Sequence, residues 1–307
     1  MYEIVDITDS IKVLKAPVNV GFFFKNTSEC LIIDSGSSTE YGKKIFRYLE
    51  SQGVKNLVIL NTHSHADHIG GNSFLQEKFK CRIYATEFES AFIEFPKLEP
   101  MYLWGGPIFK GIDSKFLMAK PSVVTNVVDY GYSEELGVEV IPLNGHSFDM
   151  VGVLITDGLK RVLFIADAVV PEQTIEKYKV YFLYDVKEHL KTLNGLNKWV
   201  ESVDYIIPSH GEIYSLGMES AKISFLKLVE ENRRAIDDVL DCIFHSLSEP
   251  LTIDDILSKI ASRFSITLDA VAYVLLLQTL KAYCGYLVEI GEVAITFRRD
   301  RLEYEKV

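Results

Sequence analysis

Apolar and polar positions alternate in two registers along the first two-thirds of the chain. VGFFF from Val20 and CLIIDSG from Cys30 are short, β-rich apolar runs that predict strands, and TEYGKKIFRYLESQG from Thr39 places Tyr41, Ile45, Phe46 and Leu49 at helical spacing. LVILNT from Leu57 predicts the next strand and GGNSFLQEKFK from Gly70 the helix beyond it. CRIYAT from Cys81, VEVIPL from Val138, VGVLIT from Val151, RVLFIAD from Arg161 and DYIIPSHG from Asp204 complete the series of strands. Between Phe95 and Thr125 the pattern breaks into a segment rich in proline, glycine and aromatics. This predicts a long excursion outside the core, with two roles that fit it: a wall of a pocket or a cover over a sheet edge.

From about Ser220 the periodicity turns helical. AKISFLKLVEENRRAIDDVLDCIFHSL, LTIDDILSKIASRF and TLDAVAYVLLLQTLKAY predict three helices, and YLVEIGEVAITF predicts a hairpin around Gly291. The expected division is residues 1–218 and 219–307, the second part having the element order of a winged helix. Ala221 to Val307 holds 11 Lys or Arg against 14 Asp or Glu, and the third helix is almost wholly apolar over VAYVLLL, leaving few side chains to read bases or grip phosphates. Packing onto the first part, a homodimer contact or a lid is the expected role of the tail.

The formal net charge of −11 disfavours a nucleic-acid partner held by phosphate neutralisation and leaves a small-molecule substrate as the expected partner. The first residues lack a basic start leading into an apolar stretch and a cleavage site, so a cytoplasmic location is expected. No apolar run of the length needed to span a bilayer is uninterrupted, which predicts no membrane partner. Cys30, Cys81, Cys242 and Cys284 have no C-x-x-C spacing and are expected to be reduced, buried thiols.

The chemistry is concentrated in NTHSHADHIGG from Asn61, which puts His63, His65, Asp67 and His68 into six consecutive residues directly after a strand, in a chain of seven histidines. Side chains two apart in an extended segment point the same way, so His63 and His65 suit one ion. Asp67 and His68 follow after the chain has turned and face a different point. Two adjacent ions are the natural consequence. Neutral imidazoles suit zinc, with iron and manganese also accepted by such donors, and aspartate offsets the charge of a second cation.

T-H-x-H-x-D-H-x-G-G at 62–71, G-H-S at 145–147, A-D at 166–167 and P-S-H-G at 208–211 together resemble the metallo-β-lactamase fold superfamily, nearest its glyoxalase II-like branch. The resemblance covers Met1 to about Leu216. It implies an α+β fold, a four-layer αββα sandwich with the site at its edge, here followed by the helical, winged-helix-like tail. It also implies that His63, His65 and His146 hold one divalent metal ion, that Asp67, His68 and His210 hold a second, and that Asp167 bridges them. Asp67 would both ligate and orient the attacking hydroxide, and is the expected catalytic residue.

Several neighbouring residues carry weaker expectations. Asp34 in IIDSG fits a hydrogen-bonding support for a ligand, or a turn. His189 and His245 are expected to be solvated or at the core edge. Tyr178, Tyr181, Phe182, Tyr184, Tyr102 and Trp104 fit either an acyl pocket or ordinary packing, with packing preferred. GHSFDM puts Asp149 where the glyoxalase II pattern has glycine, and the tail shows no recognisable glutathione-binding set. The function expected is therefore dinuclear metal-dependent hydrolysis of a small acyl compound, a thioester or lactone. The alternatives are phosphodiester cleavage of nucleotides or short nucleic acid, and a metal-domain sensor with a partner-binding tail.

Overall fold

The computed structural model describes residues 2–307. Strands β1 (Glu3–Asp6), β2 (Ile11–Lys15), β3 (Val20–Phe24), β4 (Glu29–Ile33), β5 (Asn56–Leu60), β6 (Arg82–Ala85) and β7 (Asn126–Val127) form one sheet in chain order. Strands β8 (Gly131–Ser133), β9 (Val138–Pro142), β10 (Val151–Asp157), β11 (Lys160–Ala166), β12 (Tyr205–Pro208) and β13 (Tyr214–Ser215) form the second, ordered β13-β12-β11-β10-β9-β8. The central strands read as unbroken apolar runs because both of their faces are covered. In β4, Leu31 and Ile33 point into the core between the sheets, while Cys30 and Ile32 point outward to Tyr41, Ile45 and Leu49 of α1 (Thr39–Ser51). In β11, Val162 and Phe164 face the inter-sheet core and Leu163 and Ile165 face the helices on the far side. This is the expected αββα sandwich.

The helices divide between the two outer faces and one end. α2 (Ala66–Ile69) and α3 (Asn72–Phe79) follow β5, so the predicted helix from Gly70 is entered through a separate single turn. α4 (Glu87–Glu94) and α5 (Leu98–Trp104) follow β6, the latter inside the predicted excursion. α6 (Glu172–Tyr178) and α7 (Val186–Leu196) lie between β11 and β12. The tail consists of α8 (Glu219–Ser246), α9 (Ile253–Arg263), α10 (Ala270–Glu289) and the hairpin β14 (Val293–Arg298) with β15 (Arg301–Lys306). Leu251 bridges Tyr304 of the hairpin, completing a winged-helix-like arrangement. Phe225, Ile236 and Val239 of α8 share one apolar core with Leu163, Ile165 and Leu193.

Two tail features differ from expectation. The hairpin turns at Arg299–Asp300, both at positive φ (50° and 63°) as a two-residue hairpin loop requires, and residues 286–289 still belong to α10. α10 is long and apolar enough to cross a bilayer. Within the fold, Leu280, Tyr283, Cys284 and Leu287 of this helix enter the shared core, while Val274 meets Leu103, Ile112 and Leu117 of the excursion.

His189 is also a correction. It is fully buried on α7, with both ring nitrogens lacking a hydrogen-bond partner and its backbone against Gly145. Burial pushes its pKa down to about 4 from 6.5. The unfolded chain therefore binds the proton first, and the stability contributed by the neutral ring is complete above pH 6.5 and is lost as pH falls toward 4. His189→Leu should lose less melting temperature than the wild type between pH 7 and pH 5, the difference reflecting roughly 3 kcal/mol over the full window. Parallel acid-side melting curves would refute this.

Candidate metal centre

The candidate ligands all leave the sandwich at one edge. β4 and β5 are parallel, so the loops carrying Asp34 and His63–His68 emerge side by side. β11 and β12 are parallel too, and bring Asp167 and His210 to the same end. β10 runs antiparallel to β11, so the β9–β10 loop with His146 opens there as well. The strands thus gather five chain segments that lie far apart in the sequence, from Asp34 to His210. Two residues at this edge hold a left-handed backbone: Asp34 and Ala166, the latter just before Asp167 and at a register shift of β11, have φ of 63° and 48°.

Three nitrogens form the first cluster. His63 Nε2 lies 3.1 Å from His65 Nδ1, which lies 3.0 Å from His146 Nε2. Ligands of a tetrahedral zinc with bonds of ~2.0–2.1 Å stand about 3.3 Å apart, so the spacing suits one ion. Asp67, His68 and His210 form the second cluster, with His210 Nε2 3.4 Å from Asp67 Oδ2. Asp167 stands between them: Oδ2 is 3.5 Å from both His146 Nε2 and His210 Nε2, and Oδ1 is 3.5 Å from His68 Nε2. All seven residues named from the sequence are brought together.

The outer ring nitrogens of His63, His68 and His210 are held by the protein, which fixes where those rings point. His68 Nδ1 donates to Asp34 Oδ2 at 2.8 Å, and His210 Nδ1 to the Pro17 carbonyl at 2.7 Å. The Thr62 hydroxyl donates to Asp34 Oδ2 at 2.8 Å, so its oxygen is free to accept from His63 Nδ1 at 3.1 Å. The Nε2 atoms of His63, His68 and His210 are thereby aimed at the cluster. Asp34, buried and also accepting the Thr62 amide, orients one ligand of each cluster. Asp34→Asn should weaken metal affinity about 10–100-fold, measured by competition with a chelating dye. Unchanged affinity would reduce Asp34 to a turn residue.

The charge pattern also fits bound cations. Burial and the neighbouring His65 and His68 hold His63 and His146 below the ordinary imidazole value, His146 down to about 3, so these rings are neutral donors. Burial opposes charge on His210 as well, but Asp167 and Asp67 outweigh it and push that ring up to about 10. His68 is likewise raised, by Asp167, Asp67 and Asp34 against its burial. The carboxylates of Asp67 and Asp167 thus favour positive charge in the second cluster, in the place cations would take. Buried His68 Nε2 and Asp167 Oδ1, 3.5 Å apart, have no hydrogen-bond partner. Such orphaned atoms are costly unless something ligates them.

Several supporting residues carry no sequence signal of their own. Glu89 of α4, fully buried, accepts from the Ser64 amide at 2.8 Å, the Asp149 amide at 3.1 Å and the Ser147 hydroxyl, tying the His63–His65 loop to the His146 loop. Glu99 of α5 places Oε1 3.9 Å from His65 Nε2, and burial raises its carboxyl pKa. Asn19 binds the Pro208 and Gly211 carbonyls on either side of His210. Each lies far from its partner in sequence, and Glu89 and Asn19 act largely through backbone amides or carbonyls, which any residue supplies. Of the aromatics, Phe182 packs its ring 5.4 Å from His65 and 6.1 Å from His146, whereas Tyr181 is core and Tyr178 and Trp104 are half-exposed.

Comparison with known proteins agrees with this geometry. The family model described as metallo-beta-lactamase superfamily matches residues 15–210. A probable metallo-hydrolase, YqgX, of Bacillus subtilis (strain 168) is 32% identical over 101 residues, 33% of this chain and 43% of that protein. A hydroxyacylglutathione hydrolase of Thiobacillus denitrificans is 45% identical over 40 residues, 13% of this chain and 16% of that protein. The matched segments thus span less than half of either relative. Among solved structures, a beta-lactamase domain protein from Burkholderia ambifaria superposes with a TM-score of 0.71 at 16% identity, over 99% of this chain and 94% of its own. A metallo-beta-lactamase family protein from Thermus thermophilus gives 0.72 at 18% identity, over 98% and 100%. The tail is therefore part of the shared fold. With four motifs meeting at one sandwich edge and the family model spanning them, the chain belongs to the metallo-beta-lactamase superfamily.

Proposed function

We propose that this chain is a dinuclear metal-dependent hydrolase that opens a small acyl substrate, a thioester or lactone. The observation that carries this reading is the division of the ligand atoms into two clusters joined by Asp167. Divalent metal ions, zinc by the nature of the donors, would be held by His63, His65 and His146 and by Asp67, His68 and His210, with Asp167 common to both. Bound there, they supply Lewis acidity and lower the pKa of a coordinated water toward ~7.

The chain's own residues do the rest. Asp67 is the most open of the ligands, its side chain 43% exposed, and it is held ionised by His68 and His210 against the cost of burial. It is placed to accept a hydrogen bond from the attacking hydroxide and direct its lone pair at the carbonyl carbon. A carbon–oxygen bond then forms, and the carbon–sulfur or ring carbon–oxygen bond breaks to release the thiolate or alkoxide. Phe182, over His65 and His146, keeps that side of the centre dry. The relatives named metallo-hydrolase and hydroxyacylglutathione hydrolase support hydrolysis as the reaction type.

The test combines metal analysis with assays on thioesters, lactones and phosphodiesters, with and without chelator. Two ions per chain and acyl hydrolysis that disappears with chelator and returns with added divalent metal are expected. Fewer than one ion per chain would overturn the two-ion site. Chelator-sensitive phosphodiester cleavage without acyl turnover would replace the substrate class.

A further inference from the structure

An aromatic wall stands beside the His65 and His146 side of the centre. Phe148, two residues after His146, is its middle: its ring centroid lies 4.5 Å from Tyr184, 4.7 Å from Phe92, 5.3 Å from Tyr102 and 6.4 Å from Phe88. These rings come from three separate segments, α4, α5 and the residues before α7, together with the His146 loop. Glu89 fixes the wall to the metal loops, since the same carboxylate accepts from the amides of Ser64 and Asp149. Tyr184 is fixed likewise, its amide donating to the Gly145 carbonyl at 2.9 Å. The wall is held from behind by α10, where Gln278 donates to the Tyr102 hydroxyl at 2.6 Å.

Rings gathered at this density ordinarily close a core, yet Phe88 is 60% and Tyr184 37% exposed. Carboxylates stand beside the wall: Glu99 next to Tyr102, and Asp149 with Glu89 and Glu87. Carboxylates repel an anionic group, and Glu89 has its hydrogen bonds filled within the protein. Apolar area next to the reacting centre, flanked by acids, suits a neutral apolar group.

We propose that this wall is the acyl-binding subsite, and that the substrate's acyl group is a neutral aromatic or medium-length alkyl chain rather than a carboxylate-bearing one. The inference rests on the hydrolase reading given above and names the substrate class of that same site. Burial of one phenyl or alkyl group against the wall should favour its hydrolysis over that of acetyl about 10–100-fold at the usual free energy per apolar area.

The experiment compares acetyl, hexanoyl, phenylacetyl and succinyl thioesters of one neutral thiol, N-acetylcysteamine, in the wild type, Phe88→Ala and Phe148→Ala, with metal content measured for each. Hexanoyl and phenylacetyl should exceed acetyl in kcat/KM at least tenfold and succinyl should fall below both. The phenylacetyl-to-acetyl ratio should collapse at least fivefold in the variants, chiefly through KM. Phe88 lies at the exposed end of the wall, so its variant is read even if Phe148→Ala fails to fold. A succinyl preference, or a ratio unchanged in Phe88→Ala, would overturn the subsite. If neither these thioesters nor lactones are hydrolysed by the metal-loaded protein, the hydrolase reading fails separately. The wall is then judged by calorimetric titration with phenylacetamide: tighter binding to wild type than to Phe88→Ala supports it, and equal or absent binding overturns it.

Discussion

Asp167→Ala is expected to reduce acyl hydrolysis at least 10³-fold and to lower metal content from two ions per chain toward one. The carboxylate lies 3.5 Å from His68, His146 and His210, so it reaches donors of both clusters. It is fully enclosed, and His210 and His68 hold it ionised against the cost of burial, well below the usual carboxylate range. In the proposed two-ion site, removing it would delete one negative charge and a shared ligand between the cations, whose Lewis acidity would account for several kcal/mol of the barrier. Asp167→Asn should fall between wild type and alanine, because the amide keeps one oxygen but not the charge. Metal analysis alongside kcat decides the matter: two retained ions in Asp167→Ala would mean that each cluster stands alone and would remove the bridging role.

The second large effect is expected from a residue that touches no ligand atom. In Gly71→Ala the new methyl would lie 2.4 Å from the Ser35 carbonyl oxygen, a backbone atom that cannot swing aside. The neighbouring Gly70 is as tightly enclosed, 2.3 Å from the Ser37 carbonyl carbon. The approach is close because Ser35 clamps the metal loop: its amide donates to the His68 carbonyl at 2.8 Å and its hydroxyl accepts from the Gly71 amide at 3.1 Å. An added methyl must push the loop outward, at a cost of about 3 kcal/mol in stability, or roughly 8 °C in melting temperature for a chain of this size. Displacing His68 with the loop should also weaken metal affinity at least tenfold. Gly217→Ala, where a methyl would meet nothing within 4 Å, is the control and should stay within about 0.5 kcal/mol of wild type. Equal melting temperatures for the two variants would show that the glycines are not required by packing.

These two effects show how the site was and was not legible in the chain. The His63–His68 cluster was readable because four imidazole and carboxylate donors stand within six residues, whereas His146, Asp167 and His210 were readable as ligands through the family resemblance. Glycines 70 and 71 were readable as part of a motif, but the reason for them, a backbone approach to Ser35–Ser38, exists only once β4 and β5 lie side by side. Glu89 and Glu99 were not legible at all. Each sits in an ordinary amphipathic helix, and each acquires its role from a partner distant in sequence. Asp34 lay between these cases, with two roles open until its contacts to Thr62 and His68 chose the supporting one.

His189 and the hairpin show the opposite error, in which local pattern pointed the wrong way. A histidine in a helical stretch ordinarily faces water, but α7 packs against Gly145 and leaves the ring inside. The glycine at 291 looked like a turn between strands, yet tertiary packing of Leu287 kept the chain helical to Glu289, and the turn moved to Arg299–Asp300.

By itself, then, the sequence determined the strand-and-helix order and the His63–His68 donor cluster, because periodicity and donor chemistry are local properties of a chain, and its four motifs carried the resemblance that implied His146, Asp167 and His210. Only the tertiary structure decided which of those side chains stand together, that Asp167 lies between the clusters, and that α10 faces the excursion from Phe95. It alone gathered Phe88, Phe92, Tyr102, Phe148 and Tyr184 into one wall. The physical reason is the same throughout: those facts are distances between segments far apart in the chain, fixed by the parallel pairing of β4 with β5 and β11 with β12 and by burial against a common core.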